Sequence, residues 1–520
     1  MPLWMSILPP LVAIVMALLL KEVISSLFFG ILTGACIMAY YAGCGPLEAV
    51  GTGLLRVVDT YVVGSLYDAD HVKIIVFTLL IGGMVKVITV NGGMGGVVHW
   101  LSKRARGPRS GQLMTFVMDL CVFFDDYSNT LVVGNTMRPL ADRLRISREK
   151  LAYIVDSTSA PVVAIAFITT WIGAELSYIQ DGINHLGLDM SSYLVFFQSL
   201  AYSFYPFLTL AFVLMLILSG RDFGPMLKAE RRARAQQVAI EEQTAQEQGH
   251  ALDALIPLLV LIFGTVAGLM VTGYDATVWS ADTGFLSKLS STIGAANSYT
   301  ALLWSSLCSL LTAILITLFR RKVKFVKLME GVVEGFKSMF NAVVILTMAW
   351  SIALVTKEMH TAEFVSQLLV QWSLSPALVP AITFVLAALI GFSTGTSWGT
   401  MAILYPLILP ASWLLCQEEG MSMESTLPIF YNVVASVLAG AVMGDHCSPI
   451  SDTTIMSSLS CQCDHLQHVG TQMPYALTVG SVALLLGVLP SAFGLPSWMS
   501  FLVAGIVLWC VVRFVGKKIV

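Results

Sequence analysis

Charge is scarce in this chain: 12% of its 520 residues are Asp, Glu, Lys or Arg, against about 25% in a soluble globular protein. That deficit excludes a water-soluble domain with an ordinary surface. The net charge of −3 says nothing about nucleic acid, but no basic domain is present, so no nucleic-acid partner is expected. No HExxH motif occurs, so the signature of a zinc hydrolase within the membrane is missing. The first apolar segment has no basic stretch before it and no small-residue cleavage site after it, so it reads as a retained helix. Nine cysteines, an odd number, lie mostly in apolar segments and read as small core residues. Cys461 and Cys463 form a CxC near His465 and His468, but no second ligand pair has zinc spacing. No cofactor is expected.

Apolar residues fill the space that charge leaves. They make up 56% of the chain, and mean hydropathy is +0.80. Hydrophobic runs of about 18 residues or more recur along the whole length, the pattern of a polytopic helical protein in a lipid bilayer. The first spans read as 5–20, 23–42 and 72–91, with an amphipathic segment at 46–62. Residues 112–140 read as a hairpin with a polar tip, and 150–180 as a span broken at "DSTSAP" (156–161). A span at 199–219 completes a first unit, 1–219. The charged, Gln- and Ala-rich stretch 220–251 is a linker.

The order then recurs. Spans at 252–272, 298–319 and 338–356 precede a hairpin at 378–410 and a span 428–460 broken at "GDHCSPISD" (444–452). A span at 473–490 closes a second unit, 252–490, and an extra helix lies in 491–520. Each unit holds about five crossings plus a hairpin. An odd number inverts the second unit relative to the first, the plan of many secondary transporters. The expected fold is an all-α polytopic membrane protein with an inverted-topology repeat, two re-entrant hairpins, two broken helices and about 11 crossings.

Basic loops give the orientation, since Lys and Arg favour the cytoplasm. Lys103, Arg104, Arg106 and Arg109 precede the first hairpin, and Arg143, Arg145, Arg148 and Lys150 follow it. The linker, the run Arg320 to Lys327 and the segment Arg513 to Lys518 fall on the same side. The opposite loops carry Asp68, Asp70, Asp181, Asp275, Asp282, Glu418 and Glu419. This places the N-terminus outside, with the linker and the C-terminus in the cytoplasm.

Four polar islands interrupt the apolar runs: "DDYSNT" (125–130), "DSTSAP" (156–161), "STGTSWGT" (393–400) and "GDHCSPISDTT" (444–454). Non-helical backbone at membrane depth is tolerated only where it lines a cavity or is buried in protein. An ionised Asp at the centre of a membrane helix costs roughly 2.5–3.5 kcal/mol on insertion scales, so it usually marks an ion or proton path. Asp125, Asp126, Asp156, Asp445 and Asp452 lie in these islands. Sodium is a hard cation that takes oxygen ligands. Ser128, Asn129, Thr130, Ser157 and Thr158 offer oxygens in the first unit. Thr394, Thr396, Ser397, Ser448, Ser451 and Thr453 offer them in the second, where Gly395 allows a tight tip. The candidate sodium ligands are Asp126, Ser128, Asn129, Asp156, Thr396 and Asp445. His446 adjoins Asp445 and suits a proton role. Tyr127 and Trp398 stand at the tips as gates or packing. Lys86 either snorkels or pairs with a hairpin carboxylate such as Asp119, and Glu175 sits toward the outer end as an entry-path residue.

"FFDDYSNTLVVGNTMRPLADRLRISREKLAYIVDSTSAPV" (123–162) and "GAVMGDHCSPISDTTIMSSLSCQCDHLQHVGTQMPYAL" (440–477) closely resemble the NhaC-type Na+/H+ antiporter family, as does "GFSTGTSWGTMAILYPL" (391–407). Relatives in that family include malate/lactate antiporters and amino-acid carriers. More remotely, the paired hairpins resemble the ion transporter superfamily, whose first hairpin tip carries the Ser-Asn-Thr found at 128–130. The second tip departs from it, with Thr394-Gly395-Thr396-Ser397. The resemblance implies a homodimer with a scaffold and a mobile transport region, in a bacterial inner (cytoplasmic) membrane. It also implies Na+/H+ antiport by alternating access. The alternative is a Na+-coupled symporter or exchanger of a small organic solute, an amino acid or a carboxylate such as malate or lactate. An enzyme or a passive channel has less support, since an open pore needs no pair of inverted broken helices.

Overall fold

The computed structural model describes residues 1–20, 22–93, 95–96, 107–235, 250–280, 285–320, 323–371 and 374–519. Lys103, Arg104, Arg106, Asp282 and linker residues 236–249 lie outside the described residues. Helices follow the apolar runs, because in lipid a helix satisfies its own backbone hydrogen bonds. They begin with α1 (Leu8–Leu20), α2 (Val23–Tyr41), the amphipathic α3 (Pro46–Arg56) and α4 (Ala69–Val90). Then come α5 (Pro108–Cys121), α6 (Asp126–Arg143), α7 (Arg148–Ile165), α8 (Ile172–Leu186), α9 (Phe204–Ser219) and α10 (Gly224–Ala235). The same order returns as α11 (Leu252–Thr272), α12 (Ser298–Phe319), amphipathic α13 (Phe325–Ser338) and α14 (Phe340–Glu358). It continues as α15 (Val379–Thr394), α16 (Ser397–Glu418), α17 (Met423–Cys447), α18 (Asp452–Ser460) and α19 (His465–Val482), and then α20 (Ser497–Cys510). Side-chain caps set many starts: Glu22 on Ile24 and Ser25, Ser147 on Lys150, Ser422 on Ser425 and Asp464 on Gln467.

Among the described residues, ten helices are long and apolar enough to cross a membrane. There are eleven when Ser192–Tyr202 and Phe204–Ser219, bent by 49°, count as one span. The chain is an all-α polytopic membrane protein. Both arms of the second hairpin, α15 and α16, belong to the ten. The arms of the first hairpin do not, because their polar residues lower the hydropathy.

One boundary differs from the expectation. The "DSTSAP" island does not break a span: residues 156–161 sit inside continuous α7, and the break falls at 166–171. Pro161 removes one backbone donor, yet the helix runs on for another turn, because surrounding protein can satisfy a freed carbonyl. Ser159 lends its hydroxyl to the carbonyl of Asp156 in the same stretch. In the second unit the break falls at 448–451, inside the expected stretch.

Close backbone approach fixes α15 against α17. A Cβ at Gly440 would fall on the carbonyl oxygen of Phe384, and one at Gly444 on that of Ala388. Gly444→Ala must push these helices apart and is expected to destabilise the protein by about 1–3 kcal/mol. Thermal unfolding in detergent measures this; an unchanged midpoint would show that the helices separate without strain.

The basic loops meet on one face. Gly107–Arg109 at the start of α5, Gly220, Arg234 and Lys518 line one cavity. Arg234 donates to the carbonyl of Arg145 at 3.0 Å. A two-residue strand β1 (Arg221–Asp222) pairs antiparallel with β2 (Lys517–Lys518). Both ends of the first hairpin, the head of the linker and the C-terminal segment therefore share this face. Glu230 of α10 accepts from the amide of Ser147 at 2.7 Å. Burial pushes its carboxyl above the ordinary value, and the nearby Asp222 charge adds to the effect.

Candidate functional site

Four chain breaks converge at the middle of the molecule. The first hairpin turns at Val122–Asp125, and α6 starts at Asp126. The second turns at Gly395, in the left-handed conformation at φ 66°, where a Cβ would meet the carbonyl of Ile450. The breaks tie to the tips directly. Thr170 donates its amide to Phe124 O at 2.9 Å, and Asp452 donates its amide to Gly395 O at 3.2 Å. Helices α6, α8, α16 and α18 all begin here, so their positive ends face one space.

A small cavity of about 10 Å³ lies between the tips, lined by Asp126, Tyr127, Trp171, Gly395, Thr396, Ser397, Trp398, Asp445, Asp452 and Thr453. That volume is of the order needed for one water, so it suits a dehydrated ion. Asp126 accepts from the Trp171 indole at 3.2 Å, and Asp125 from the Thr170 hydroxyl at 3.1 Å. Asp445 accepts from the Thr453 hydroxyl at 3.0 Å, leaving its Oδ1 buried with no partner. The Ser397 hydroxyl is likewise buried and unpartnered. Trp171 and Trp398 meet edge to face at 6.1 Å across the gap. A larger cavity of about 490 Å³ adjoins the tips and runs beside α4 and α14, past Asp125, Tyr127, Asp452, Asn341 and Lys86.

Asp156 lies in a separate cluster. It is fully buried in α7, and its Oδ2 accepts from the Thr454 hydroxyl at 2.8 Å and the Gln472 amide at 2.5 Å. Its Oδ1 has no partner. Gln472 also donates to His446 O at 3.0 Å and accepts from His468 at 3.1 Å. His446 Nδ1 meets the Tyr205 hydroxyl at 2.9 Å, and its Nε2 is buried and unpartnered.

The expected residues thus divide. Asp126, Thr396, Ser397, Trp398, Asp445, Asp452 and Thr453 come together at the tips. Ser157 joins the Asp156 cluster, at 3.5 Å from Gln472 Oε1. Thr158 is buried without a partner in α7. Ser448 stands in the break and caps Ile450. Thr130 and Thr394 turn their hydroxyls back onto Tyr127 O and Ile390 O, within their own helices. The Ser128 side chain is outside the described residues. Asn129 bonds the carbonyl of Asp119 at 2.9 Å, with its own oxygen unpartnered.

Lys86 does not pair with a hairpin carboxylate. It bridges to Glu334 of α13 at 2.9 Å, where both side chains are exposed. Glu175 is buried in α8 with an unpartnered oxygen. His465 and His468 each point a nitrogen at the Ser458 hydroxyl. Among the described residues, no group of three or more His, Cys, Asp and Glu is placed to hold a metal ion. Gly391, Ser393 and Gly395 have the spacing of a nucleophile elbow, but they end a helix rather than follow a strand.

Residues unforeseen from the sequence complete the site: Thr170 and Trp171 at the first break, and Tyr205, Thr454, His468 and Gln472 around Asp156. Thr454 was signalled by its island. His468 stands out in the sequence only as a neighbour of the CxC pair, and the others give no signal that sets them apart from neighbouring residues.

Paired hairpins and broken helices around a buried carboxylate cavity define a membrane transporter. Residues 162–490 match the model of the Na+/H+ antiporter family, and the chain belongs to that family. A Haemophilus influenzae protein of uncharacterised function is 31% identical over 99% of this chain and 95% of its own length. The malate-2H+/Na+-lactate antiporter of Bacillus subtilis is 31% identical over 94 residues, 18% of each chain. The YdaH transporter of Alcanivorax borkumensis shares the fold with a TM-score of 0.55 at 16% identity, over 85% of this chain and 90% of that one.

Proposed function

We propose that this protein is a secondary transporter that exchanges Na+ for H+ by alternating access. The observation that carries the reading is the water-sized cavity where Asp126 and Asp445 face hydroxyls of Thr396, Ser397 and Thr453. Carboxylates among hydroxyls suit a dehydrated sodium ion. The same carboxylates can hold a proton when sodium leaves, and one site that takes either ion exchanges them. Asp156, with one oxygen open, forms the other half of the ion site. The family supports the assignment.

The recurrence of element order supports an inverted repeat of units 1–219 and 252–490, with both hairpins re-entrant. Contacts of Arg234 with Arg145, Arg221 with Arg513 and Arg231 with Lys518 bring the end of the first hairpin, the head of the linker and the C-terminal segment onto one face, which supports a cytoplasmic linker and C-terminus and an external N-terminus. The large cavity runs from the tips toward the Lys86 end of α4. That direction supports an inward-facing state, and the family resemblance supports a bacterial inner membrane. A homodimer fits this reading, with the lipid bilayer as the other partner.

One observation favours a second reading. A cavity of about 490 Å³ exceeds what a sodium ion needs and would admit a small organic acid or amino acid. The Bacillus relative named above exchanges malate and lactate by its name. Purified protein in liposomes, with no organic solute, decides between the two. An imposed Na+ gradient is expected to move protons at once. Proton movement that begins only after a carboxylic or amino acid is added would reject simple Na+/H+ exchange.

A further inference from the structure

Gln472 sits between the ion site and a histidine. Its amide nitrogen lies 2.5 Å from Asp156 Oδ2 and 3.0 Å from His446 O. Its amide oxygen lies 3.1 Å from His468 Nε2, and the other nitrogen of that ring meets the Ser458 hydroxyl at 2.8 Å. Gln472, His468 and Asp156 are all fully buried. An amide has a donor end and an acceptor end. His468 on the oxygen therefore fixes the nitrogen toward the carboxylate.

Asp156 receives two neutral donors and no cation: the Thr454 hydroxyl, and the Gln472 amide on the same Oδ2. A lone carboxylate in a membrane interior is costly, and donors to the charged form lower that cost. A donor at that oxygen also occupies a position that a sodium ion would take. The Thr454 and Gln472 donors both sit on Oδ2 and Oδ1 is unpartnered, so a sodium ion that enters at Oδ1 and engages both carboxylate oxygens takes the place of the amide, because donor and cation cannot share one lone pair.

We propose that Gln472 is a positioning residue that competes with sodium for Asp156. In the empty carrier its amide holds the carboxylate and offsets its charge. Sodium entry displaces the amide, and sodium departure lets it return. His468 sets the strength of the competition by anchoring the amide oxygen. This rests on the reading that Asp156 belongs to the ion site.

The competition predicts a split that loss of structure does not produce. Gln472→Met keeps length and apolar bulk but removes the donor. Its sodium affinity should rise by about ten-fold, the scale of one hydrogen bond to a charged group. Its maximal exchange rate should fall, because sodium that is held more tightly leaves the site more slowly. His468→Asn, which keeps Gln472 but weakens its anchor, should shift affinity in the same direction by a smaller factor. Binding of radioactive Na+ to purified protein gives the affinity, and liposome exchange gives the rate. Unchanged or weaker sodium binding in Gln472→Met, with Asp156→Asn losing binding, would overturn the competition. Wild-type binding in Asp156→Asn would instead overturn the placement of Asp156 in the site.

Discussion

Asp445→Asn is expected to abolish sodium-driven transport while leaving the protein folded. Asn matches Asp in shape and still accepts the Thr453 hydroxyl bond now 3.0 Å long. What it lacks is charge at the unpartnered Oδ1 that faces the tip cavity. Removing one member of a buried charge pair costs about 3–5 kcal/mol. At about 1.4 kcal/mol per decade, that is roughly two to three and a half orders of magnitude in sodium affinity. Thr394→Val is the informative contrast. Thr394 spends its hydroxyl on Ile390 O, so its loss should change transport by less than about two-fold. Initial rates in liposomes at a fixed Na+ gradient test both. Asp445→Asn with wild-type sodium dependence would remove Asp445 from the site.

That contrast marks how far the sequence carries. The hairpin tips were legible because their chemistry is local. Gly395 takes a backbone conformation that other residues resist, and the hydroxyl-rich tip around it stands out within an apolar run. The second break was legible for the same reason, since Pro449 follows Asp445 within one turn. The first break was misplaced by the same rule. Pro161 stays inside α7, and the chain breaks five residues later in "AFITTW". Nothing in those letters is a strong breaker. The Thr169 hydroxyl caps Trp171 and Ile172 locally, while Thr170 bonds across to Phe124 O. The break therefore depends partly on a tertiary contact that no window of sequence contains.

Gln472 was hidden for a related reason. Gln472 is one of several polar residues in the first half of α19, with His465, Gln467, His468 and Thr471, and nothing local sets it apart. Its importance comes from facing Asp156, which is 316 residues away in sequence. Asp156 and Asp445, both candidate sodium ligands, also sit differently in their helices. Asp445 ends its helix beside the break, whereas Asp156 lies within α7. One acid lies at the tips and the other against α19.

Lys150→Met is expected to destabilise the protein by about 3–5 kcal/mol, the cost of leaving one buried charge without its partner. Lys150 and Asp222 are each about 1% exposed, with Nζ 2.7 Å from Oδ1. Tyr475 donates to the same oxygen at 2.7 Å. The Lys150 ammonium also lies over the Tyr153 and Tyr475 rings, at 5.3 and 5.6 Å from their centroids. One carboxylate from β1 thereby staples α7 to α19, the two helices that carry Asp156 and Gln472. β2 and the Arg221 bonds to Arg513 O and Gly516 O hold that strand in place. The double variant Lys150→Met/Asp222→Leu should recover most of the loss, because apolar replacement of a buried pair is often neutral. Thermal unfolding in detergent compares the three proteins. If the single variant melts with the wild type, the pair does not hold these helices. If the double variant is as unstable as the single one, the loss comes from packing rather than from a stranded charge.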